Sequence, residues 1–185
     1  MSLKHKLPIP KRSAETIYEI TPEFLREQGI KLLLMDLDNT LSPYIVDDAT
    51  EELKRWIETL KAGGIEPFIF SNNKGDRPML FAEQLGLEYV KLAKKPRQGV
   101  LRQVLADKGY TPEETAIIGD QIYTDVLCGA IGGLYTIVVK PILLHNPLHT
   151  LRYWAETPFR FLVKRNGECI VNSWCQIQFA NWIWD

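Results

Sequence analysis

The chain has 185 residues, of which 45% are hydrophobic, and carries 22 basic and 23 acidic side chains. This length and hydrophobic content suit one compact domain rather than two. The near-zero net charge offers no general attraction to nucleic acid, so we expect no nucleic-acid partner. The three cysteines include no CxxC pair and are odd in number, which argues against a disulfide framework and favours a cytoplasmic protein with cysteines used for packing.

Targeting signals are lacking as well. No apolar run approaches the roughly 18 residues of a membrane-spanning helix. The start MSLKHKLPIPKR is basic but is not followed by the apolar core of a signal peptide. We therefore expect a protein that neither spans a membrane nor is secreted by the ordinary route, and the sequence carries no signal for an oligomeric state.

Short apolar runs rich in β-branched residues alternate with helical patterns along the chain. This alternation predicts an α/β fold, a Rossmann-like three-layer αβα sandwich with a mostly parallel five-stranded sheet. We assign residues 1–29 to an N-terminal extension and first helix, 30–140 to the core, and 141–185 to a C-terminal segment whose packing is not predicted. The predicted strands are residues 30–36, 65–71, 87–93, 114–120 and 134–140.

The predicted helices have recognisable start and stop signals. Residues 47–64 open with Asp and Thr and close with two glycines. The next helix has Asp76 as a possible cap and ends at Gly86, and a third runs from Pro96 to Gly109. The sequence GAIGG at 129–133 lacks the GxGxxG pattern of a dinucleotide-binding loop and predicts the end of a helix before the last strand.

The segment after Pro141 follows no single period, since prolines at 141, 147 and 158 exclude one continuous helix. His145 and His149 have the spacing of a helical metal pair, but Pro147 between them disfavours the helix and with it a metal role. Residues 148–165 interleave aromatic and basic side chains. Two interpretations stay open for them: contact with an anionic membrane, or aromatic cover for the sheet with solvated basic residues.

Polar residues cluster where the predicted strands end. Because the carboxyl ends of parallel strands line a ligand crevice, residues far apart in sequence are expected to converge there. Four carboxylates in a confined space repel one another unless a cation joins them, and oxygen ligands without nearby His or Cys suit Mg²⁺. A lysine and a serine in the same crevice are complementary to a phosphoryl group. These residues are Asp36, Asp38, Asp120, Asp125, Ser71, Lys94 and Lys95.

The spacing of Asp36 and Asp38 indicates a reaction. Residues i and i+2 of a strand share a face, so both carboxyl groups can reach one substrate. One carboxylate can attack phosphorus and form an acyl-phosphate. The second can protonate the leaving oxygen and later deprotonate a water molecule. Each motif taken alone has a simpler explanation as a turn or helix cap, and only their combination favours catalysis.

The four motifs DLDNTL, SNN, KKP and GDQIYTD resemble, in order, those of the haloacid dehalogenase-like (HAD) phosphatases. The resemblance spans Met35 to Asp125. It implies Asp36 as nucleophile and Asp38 as acid/base, with Lys95 rather than its rival Lys94 as the charge-balancing lysine because Lys95 directly precedes proline. It also implies a phosphate site at Ser71, Asn72 and Lys95. The implied Mg²⁺ ligands are Asp36, the Asp38 backbone carbonyl and Asp120, with Asp125 close by.

The opening ITPEFLREQGIKLLLMDLDNTL is further similar to class IIIA HAD proteins of the YqeG-like branch, related to mitochondrial phosphatidylglycerophosphate phosphatases. The short gaps between motifs leave no room for a substantial cap domain. An open site suits a substrate presented at a membrane, such as phosphatidylglycerophosphate, with possible peripheral membrane contact. The alternative substrate is a soluble ester, such as a nucleotide or sugar phosphate.

Two interpretations from other classes were weighed. A signalling receiver domain also uses aspartates, a lysine and Mg²⁺ on such a sheet, but its acidic pair and its phosphoacceptor come from different strands. Here both key aspartates follow the first predicted strand, which favours the enzyme. The second interpretation is a membrane-docking scaffold protein whose catalytic site is no longer functional. No catalytic position is visibly lost, which argues against this interpretation.

Overall fold

A computed structural model describes residues 8–143, 164–165 and 168–169 of the chain. Within these residues the central feature is a six-stranded sheet in which every neighbouring pair is parallel. The strands lie in the order β1-β6-β5-β2-β3-β4. They are β1 Arg12–Ala14, β2 Leu32–Met35, β3 Glu66–Phe70, β4 Glu88–Val90, β5 Thr115–Gly119 and β6 Tyr135–Val139.

The five predicted strands are confirmed as β2 to β6, and β1 is an addition at the sheet edge. Its residues pair with the last strand, Arg12 opposite Ile137 and Ala14 opposite Val139. A run of only three residues with two polar side chains has no apolar pattern to predict it. It becomes a strand because the edge of β6 offers backbone partners, which is a tertiary effect.

Helices cover both sides of the sheet, as the three-layer prediction requires. Short 3₁₀ turns precede α1 and β5, and a single π-helical turn, Ile122–Val126, leads into α5. Two short antiparallel strands, β7 Lys164–Arg165 and β8 Glu168–Cys169, form a separate pair. The helices are α1 Pro22–Glu27, α2 Glu51–Ala62, α3 Arg77–Leu85, α4 Gln98–Lys108 and α5 Leu127–Gly132.

The helix boundaries follow the predicted signals with two differences. Thr50 caps α2 by accepting a hydrogen bond from the Leu53 amide at 3.1 Å, whereas the side chain of Asp76 makes no capping bond to α3. Asp76 instead pairs with Lys91 at 3.1 Å. Helix α4 begins at Gln98, two residues after the predicted Pro96, and ends as predicted at Gly109, where the backbone is left-handed.

The sheet separates two apolar layers, and β2 contributes to both. Leu33 and Met35 join the core that packs under α2, while Leu32 and Leu34 join the core under α4. Asp36 follows directly after this strand, at its carboxyl end. Cys128 is buried in that second layer, which confirms packing as its role.

Residues 39–94 hold only loops, α2, β3, α3 and β4, so they contain no cap domain. Among the described helices, none has the length and apolar character needed to cross a bilayer. The predictions for His145 and His149, and those for residues 148–163, lie outside the described part of the chain. The domain boundaries at 29 and 140 stay predictions.

Candidate active site

The predicted site residues converge at the carboxyl edge of the sheet. Asp36 directly follows β2, Ser71 follows β3, and Asp120 follows β5. Two further residues reach the same place from loops, Lys95 after β4 and Asp125 in the π-helical turn. All five are buried, a setting in which charged groups persist only when they are paired or coordinate a metal.

Lys95 links two of the carboxylates. Its Nζ lies 2.6 Å from Asp36 Oδ1 and 2.6 Å from Asp125 Oδ1, and its side chain is 1% exposed. Burial by itself would lower the pKa of Lys95, but the carboxylates of Asp125 and Asp36 outweigh it and hold that pKa above its ordinary value. The lysine therefore stays positively charged beside Asp36.

The structure separates the two rival lysines. Lys94 is exposed and its backbone is left-handed, with φ of 54°. The turn directs Lys94 outward and brings the side chain of the next residue, Lys95, against Asp36 and Asp125. Lys95 is also anchored through its backbone, since its amide donates to Asn72 Oδ1 at 2.8 Å and its carbonyl accepts from Asn72 Nδ2 at 3.2 Å.

The acidic cluster, here Asp36, Asp120 and Asp125, has the character of a divalent-cation site. One carboxylate oxygen from each residue lies within 4.8 Å of the others. Three buried carboxylates against the single ammonium of Lys95 leave an excess of negative charge, which a divalent cation would balance. The donors are all hard oxygens, so the residues fit a metal such as Mg²⁺ better than a thiophilic one.

Thr40 ties two members of the acidic cluster together. Its hydroxyl donates to Asp36 Oδ2 at 3.2 Å and lies 3.4 Å from Asp120 Oδ1. It also accepts from the Asp120 amide at 3.0 Å. The sequence analysis assigned no role to Thr40, although it lies inside the motif DLDNTL, and the bond across 80 positions needs the tertiary fold.

The position of the Asp125 side chain depends on a glycine, Gly119. A Cβ on Gly119 would fall 2.2 Å from Asp125 Oδ2, so only glycine at the end of β5 leaves room for the carboxylate. The Gln121 amide donates to Asp125 Oδ2 at 3.2 Å. Burial raises the pKa of Asp125 to about 6, with Asp36 adding to the shift and Lys95 opposing it.

Asp38 lies apart from the acidic cluster and has its own partners. Asn73 Nδ2 donates to Asp38 Oδ2 at 2.9 Å, and Arg77 Nη1 donates to Asp38 Oδ1. Burial raises the pKa of Asp38 above its ordinary value, although the contacts with Asn73 and Arg77 act in the opposite direction. The two motif aspartates thus differ in environment, Asp36 against an ammonium and Asp38 against an amide and a guanidinium.

Arg77 is the second residue that the sequence analysis missed. Besides Asp38 it bonds the loop after β2, since its Nη2 donates to the carbonyls of Pro43 and Val46 at 2.6 and 2.7 Å. Its guanidinium lies 4.8 Å from the ring centroid of Phe81. No local pattern distinguishes this arginine from a helix-start residue, because its partners are 31 to 39 positions away.

Ser71 and Asn72 occupy the loop after β3, beside Asp38 and Lys95. The Ser71 hydroxyl accepts from the Asn73 amide at 3.1 Å. The side-chain amide of Asn72 is bonded at both its Nδ2 and its Oδ1 to the Lys95 backbone. A phosphate contact at Asn72 would therefore come from its backbone N–H, while its side chain joins the two loops.

Comparison with known proteins agrees with this geometry. A family described as HAD-hydrolase-like matches residues 92–141, which include Lys95, Asp120 and Asp125. Over 164 residues the chain is 38% identical to the probable phosphatase YqeG of Bacillus subtilis, and the match covers 88% of this chain and 95% of that protein. Because the match extends over nearly all of both proteins, this chain and the Bacillus protein belong to the same family.

The names of two more distant relatives specify a substrate. Phosphatidylglycerophosphate phosphatase 1 of Arabidopsis thaliana is 27% identical over 144 residues, and that of Chlamydomonas reinhardtii is 26% identical over 145. The matches cover 72% and 74% of this chain, but only 41% and 54% of those longer proteins.

Solved structures repeat the fold. The cobalt-bound deoxy-D-mannose-octulosonate 8-phosphate phosphatase of Haemophilus influenzae aligns with a TM-score of 0.50 at 19% identity, over 60% of this chain and 69% of that one. A protein of Listeria monocytogenes aligns with a TM-score of 0.51 at 12% identity, over 71% and 99%. These two likenesses show a shared fold, and the 38% identity to the Bacillus protein over 88% of this chain identifies the chain as a haloacid dehalogenase-like phosphatase of the YqeG-like branch.

Proposed function

We propose that the chain is a Mg²⁺-dependent phosphomonoester hydrolase that works through an aspartyl-phosphate on Asp36. The observation that carries this proposal is the contact of the buried Lys95 with Asp36 and Asp125, with Asp120 completing the acidic cluster. The ammonium of Lys95 screens the charge of the Asp36 carboxylate from an approaching phosphate.

Asp36, Asp120 and Asp125 would hold the Mg²⁺ through their carboxylates, and Asp38 through its backbone carbonyl. When bound, the metal supplies Lewis-acid stabilisation for the phosphoryl oxygens. Lys95 supplies positive charge directly beside Asp36. The Ser71 hydroxyl and the Asn72 N–H bind the phosphate.

In the first half-reaction a carboxylate oxygen of Asp36 attacks phosphorus, and the bond from phosphorus to the leaving oxygen breaks. Asp38, protonated at this stage, donates its proton to the leaving alkoxide. The raised pKa of Asp38, caused by burial, favours a carboxyl group that carries a proton. Asn73 and Arg77 hold the carboxyl group in one orientation.

In the second half-reaction water attacks the phosphorus of the aspartyl-phosphate. Asp38, now a carboxylate, accepts a proton from that water, and the bond between Asp36 and phosphorus breaks. Inorganic phosphate leaves and both aspartates return to their starting states. The acid of one step is thus the base of the next, which explains why one carboxyl group is kept apart from the acidic cluster.

For the substrate we propose a phosphate monoester presented at a membrane, such as phosphatidylglycerophosphate, and for the protein a cytoplasmic location with peripheral membrane contact. Two observations support this: the names of the two plant and algal relatives, and the lack of a cap over the site within residues 39–94. The alternative is a soluble ester such as a nucleotide or sugar phosphate.

The test of the mechanism is phosphate release with and without Mg²⁺, for the wild type and for Asp36→Asn. We expect turnover only with the metal and a loss of about a thousandfold or more in kcat for the variant, because an amide is a poor nucleophile. Glu66→Gln, a carboxylate exchange at the opposite edge of the sheet, serves as the matched control. Activity that survives in Asp36→Asn would refute the assigned nucleophile.

The substrate is tested with a panel that contains phosphatidylglycerophosphate in vesicles together with nucleotide and sugar phosphates. We expect a higher kcat/KM for the lipid. Efficient turnover of a soluble ester, with no turnover of the lipid, would support the phosphatase activity and refute the lipid as substrate.

A further inference from the structure

Exposed apolar side chains are concentrated at one edge of the molecule. Seven large apolar residues are exposed in the described part of the chain, and five of them follow the carboxyl ends of strands, where the catalytic residues also lie. Ile45 is 74% exposed, the highest value among the seven. We call these five residues the apolar rim: Tyr44, Ile45, Leu92, Tyr123 and Ile142.

The rim is attached to the catalytic loops by backbone hydrogen bonds. The Ile142 amide donates to the carbonyl of Asn39 at 3.1 Å, next to Asp38 in the chain. The Leu92 amide donates to the carbonyl of Asn73 at 3.1 Å. The loop that carries Tyr44 and Ile45 is bonded to Arg77 on both sides, at Pro43 and Val46. The rim therefore borders the mouth of the crevice on several sides.

The loop after β4 adopts an unfavourable backbone to present two of its side chains. Leu92 and Lys94 have φ of 56° and 54°, in the left-handed region that residues with a Cβ usually avoid. Between them Ala93 is buried, and after them Lys95 enters the acidic cluster. The alternation sets an apolar and a cationic side chain outward at the mouth, and strain of this kind is typical of functional loops.

Positive charge without a partner accompanies the rim. Lys74, Lys94 and Arg97 are exposed on the loops after β3 and β4, and in the described part of the chain none of them makes an ion pair. Acidic side chains of the same edge are in part paired, Asp76 with Lys91 at 3.1 Å and Glu15 with Lys140 at 2.9 Å, while Asp48 and Glu52 are exposed and make no ion pair among the described residues. The unpaired cations belong to the loops after β3 and β4, and on that side of the mouth they favour an anionic partner.

A cavity continues the apolar rim beside the catalytic loop. Its volume is about 480 Å³, and Ile142 of the rim and Pro43, next to Tyr44, belong to its walls. The wall is mixed: Ile17, Leu41 and Leu53 are apolar, whereas Glu15, Glu52 and Lys140 are charged. The cavity thus extends the apolar surface of the rim only along the apolar part of its wall.

We propose that the apolar rim and its three cations form a docking surface for an anionic lipid membrane, oriented so that the catalytic crevice faces the headgroups. Two elements bind a protein to the surface of an anionic bilayer. Apolar side chains enter the membrane interface, and cationic side chains contact the headgroups. This inference rests on the proposed membrane-presented substrate and names the residues that would bring the crevice to it.

The docking surface is tested by co-sedimentation of the full chain with vesicles of phosphatidylcholine, with and without phosphatidylglycerol. We expect binding to the phosphatidylglycerol vesicles that weakens with added salt. The double variant Ile45→Asp/Leu92→Asp should bind at least about tenfold more weakly, because charged tips no longer enter the interface. Aspartate tolerates the left-handed backbone at position 92 better than leucine, so the substitution keeps the loop.

The matched control is Ile131→Asp in α5, an isoleucine that is 49% exposed and lies outside the rim, for which vesicle binding should equal that of the wild type. Lys74→Gln/Lys94→Gln/Arg97→Gln should remove the preference for phosphatidylglycerol while the apolar rim stays intact. Equal binding of the Ile45→Asp/Leu92→Asp variant and the wild type would overturn the proposal. Rim-dependent self-association without vesicle binding would overturn it in favour of a protein interface.

Hydrolysis of p-nitrophenyl phosphate on the same samples separates this proposal from the proposed function. For the rim variant we expect the ratio of lipid turnover to soluble turnover to fall by at least about tenfold. Asp36-dependent hydrolysis without any vesicle binding would refute the docking surface and leave the phosphatase. Vesicle binding without Mg²⁺-dependent hydrolysis would refute the proposed mechanism and leave the docking surface.

Discussion

The two edges of the sheet each contain a lysine between two carboxylates, and the two clusters differ in almost everything else. At the carboxyl edge Lys95 lies 2.6 Å from both Asp36 and Asp125, with all three side chains buried. At the amino edge Lys108 lies 2.6 Å from Glu66 and also pairs with Glu88, whose side chain is 71% exposed. The same charges are thus found once in a fully buried site and once in a partly exposed one.

The difference indicates which cluster can do chemistry. Water and salt screen an exposed pair, so the contacts of Lys108 contribute little beyond local order. In the buried cluster charges interact strongly, and any change of one group alters the others. The surroundings differ in the same way: among the residues that the structure describes, only the carboxyl edge combines left-handed non-glycine residues at 39, 92 and 94 with a glycine whose Cβ position is filled by a carboxylate.

The largest expected effect is on the free energy of unfolding, when Lys95 and Lys108 are each replaced in a separate variant. Lys95→Ala leaves buried carboxylates without their cation, so we expect a loss of about 3–5 kcal/mol in the free energy of unfolding, measured by urea denaturation without divalent metal. Lys108→Ala, the matched change at the amino edge, should cost about 0–1 kcal/mol. Equal losses would contradict the contrast between the edges.

Metal binding should stabilise the carboxyl edge alone. With Mg²⁺ at about a hundred times its Kd, the wild type should gain about 2.7 kcal/mol in the free energy of unfolding. Asp120→Asn removes one charged ligand and should lose most of that gain, while Glu88→Gln at the amino edge should keep it. A thermal melt with Mg²⁺ or EDTA measures the effect, and a Mg²⁺ shift that survives in Asp120→Asn would exclude this residue as a ligand.

Gly119→Ala tests the close approach behind Asp125. The added Cβ would lie 2.2 Å from Asp125 Oδ2, so the carboxylate must move, and overpacking of this kind costs about 1–3 kcal/mol. We expect weaker Mg²⁺ affinity by isothermal titration calorimetry. Gly99→Ala is the control, because a Cβ there meets no atom within 4 Å and the helix should gain stability. Wild-type Mg²⁺ affinity in Gly119→Ala would show that the contact does not matter.

Arg77 is expected to act by positioning Asp38. Arg77→Lys keeps a positive charge but cannot bond Asp38 and the carbonyls of Pro43 and Val46 together, so kcat for a soluble ester should fall by about tenfold with little change in KM. Arg102→Lys, an exposed arginine of α4, should leave kcat unchanged. A fall in stability without a fall in kcat would assign Arg77 a structural role only.

Much of the fold could be predicted from local patterns. Strand β2 is an unbroken apolar run, and Gly86 and Gly109 end their helices with the backbone that glycine favours. The convergence of Asp36, Asp38, Ser71 and Lys95 at one edge was predictable because parallel strands bring their carboxyl ends together. The edge strand Arg12–Ala14 was not predictable, since it depends on a partner more than a hundred positions away.

The sequence by itself therefore determined the alternation of β2 to β6 with helices and which acids meet at one edge, because short-range periodicity and the geometry of parallel sheets suffice for both. Only the tertiary structure decided between Lys94 and Lys95, joined Thr40 to Asp120, and assigned Arg77 to Asp38. Each of these outcomes depends on a hydrogen bond, an ion pair or burial in a dry interior. Such contacts form between residues that only the folded chain brings within bonding distance.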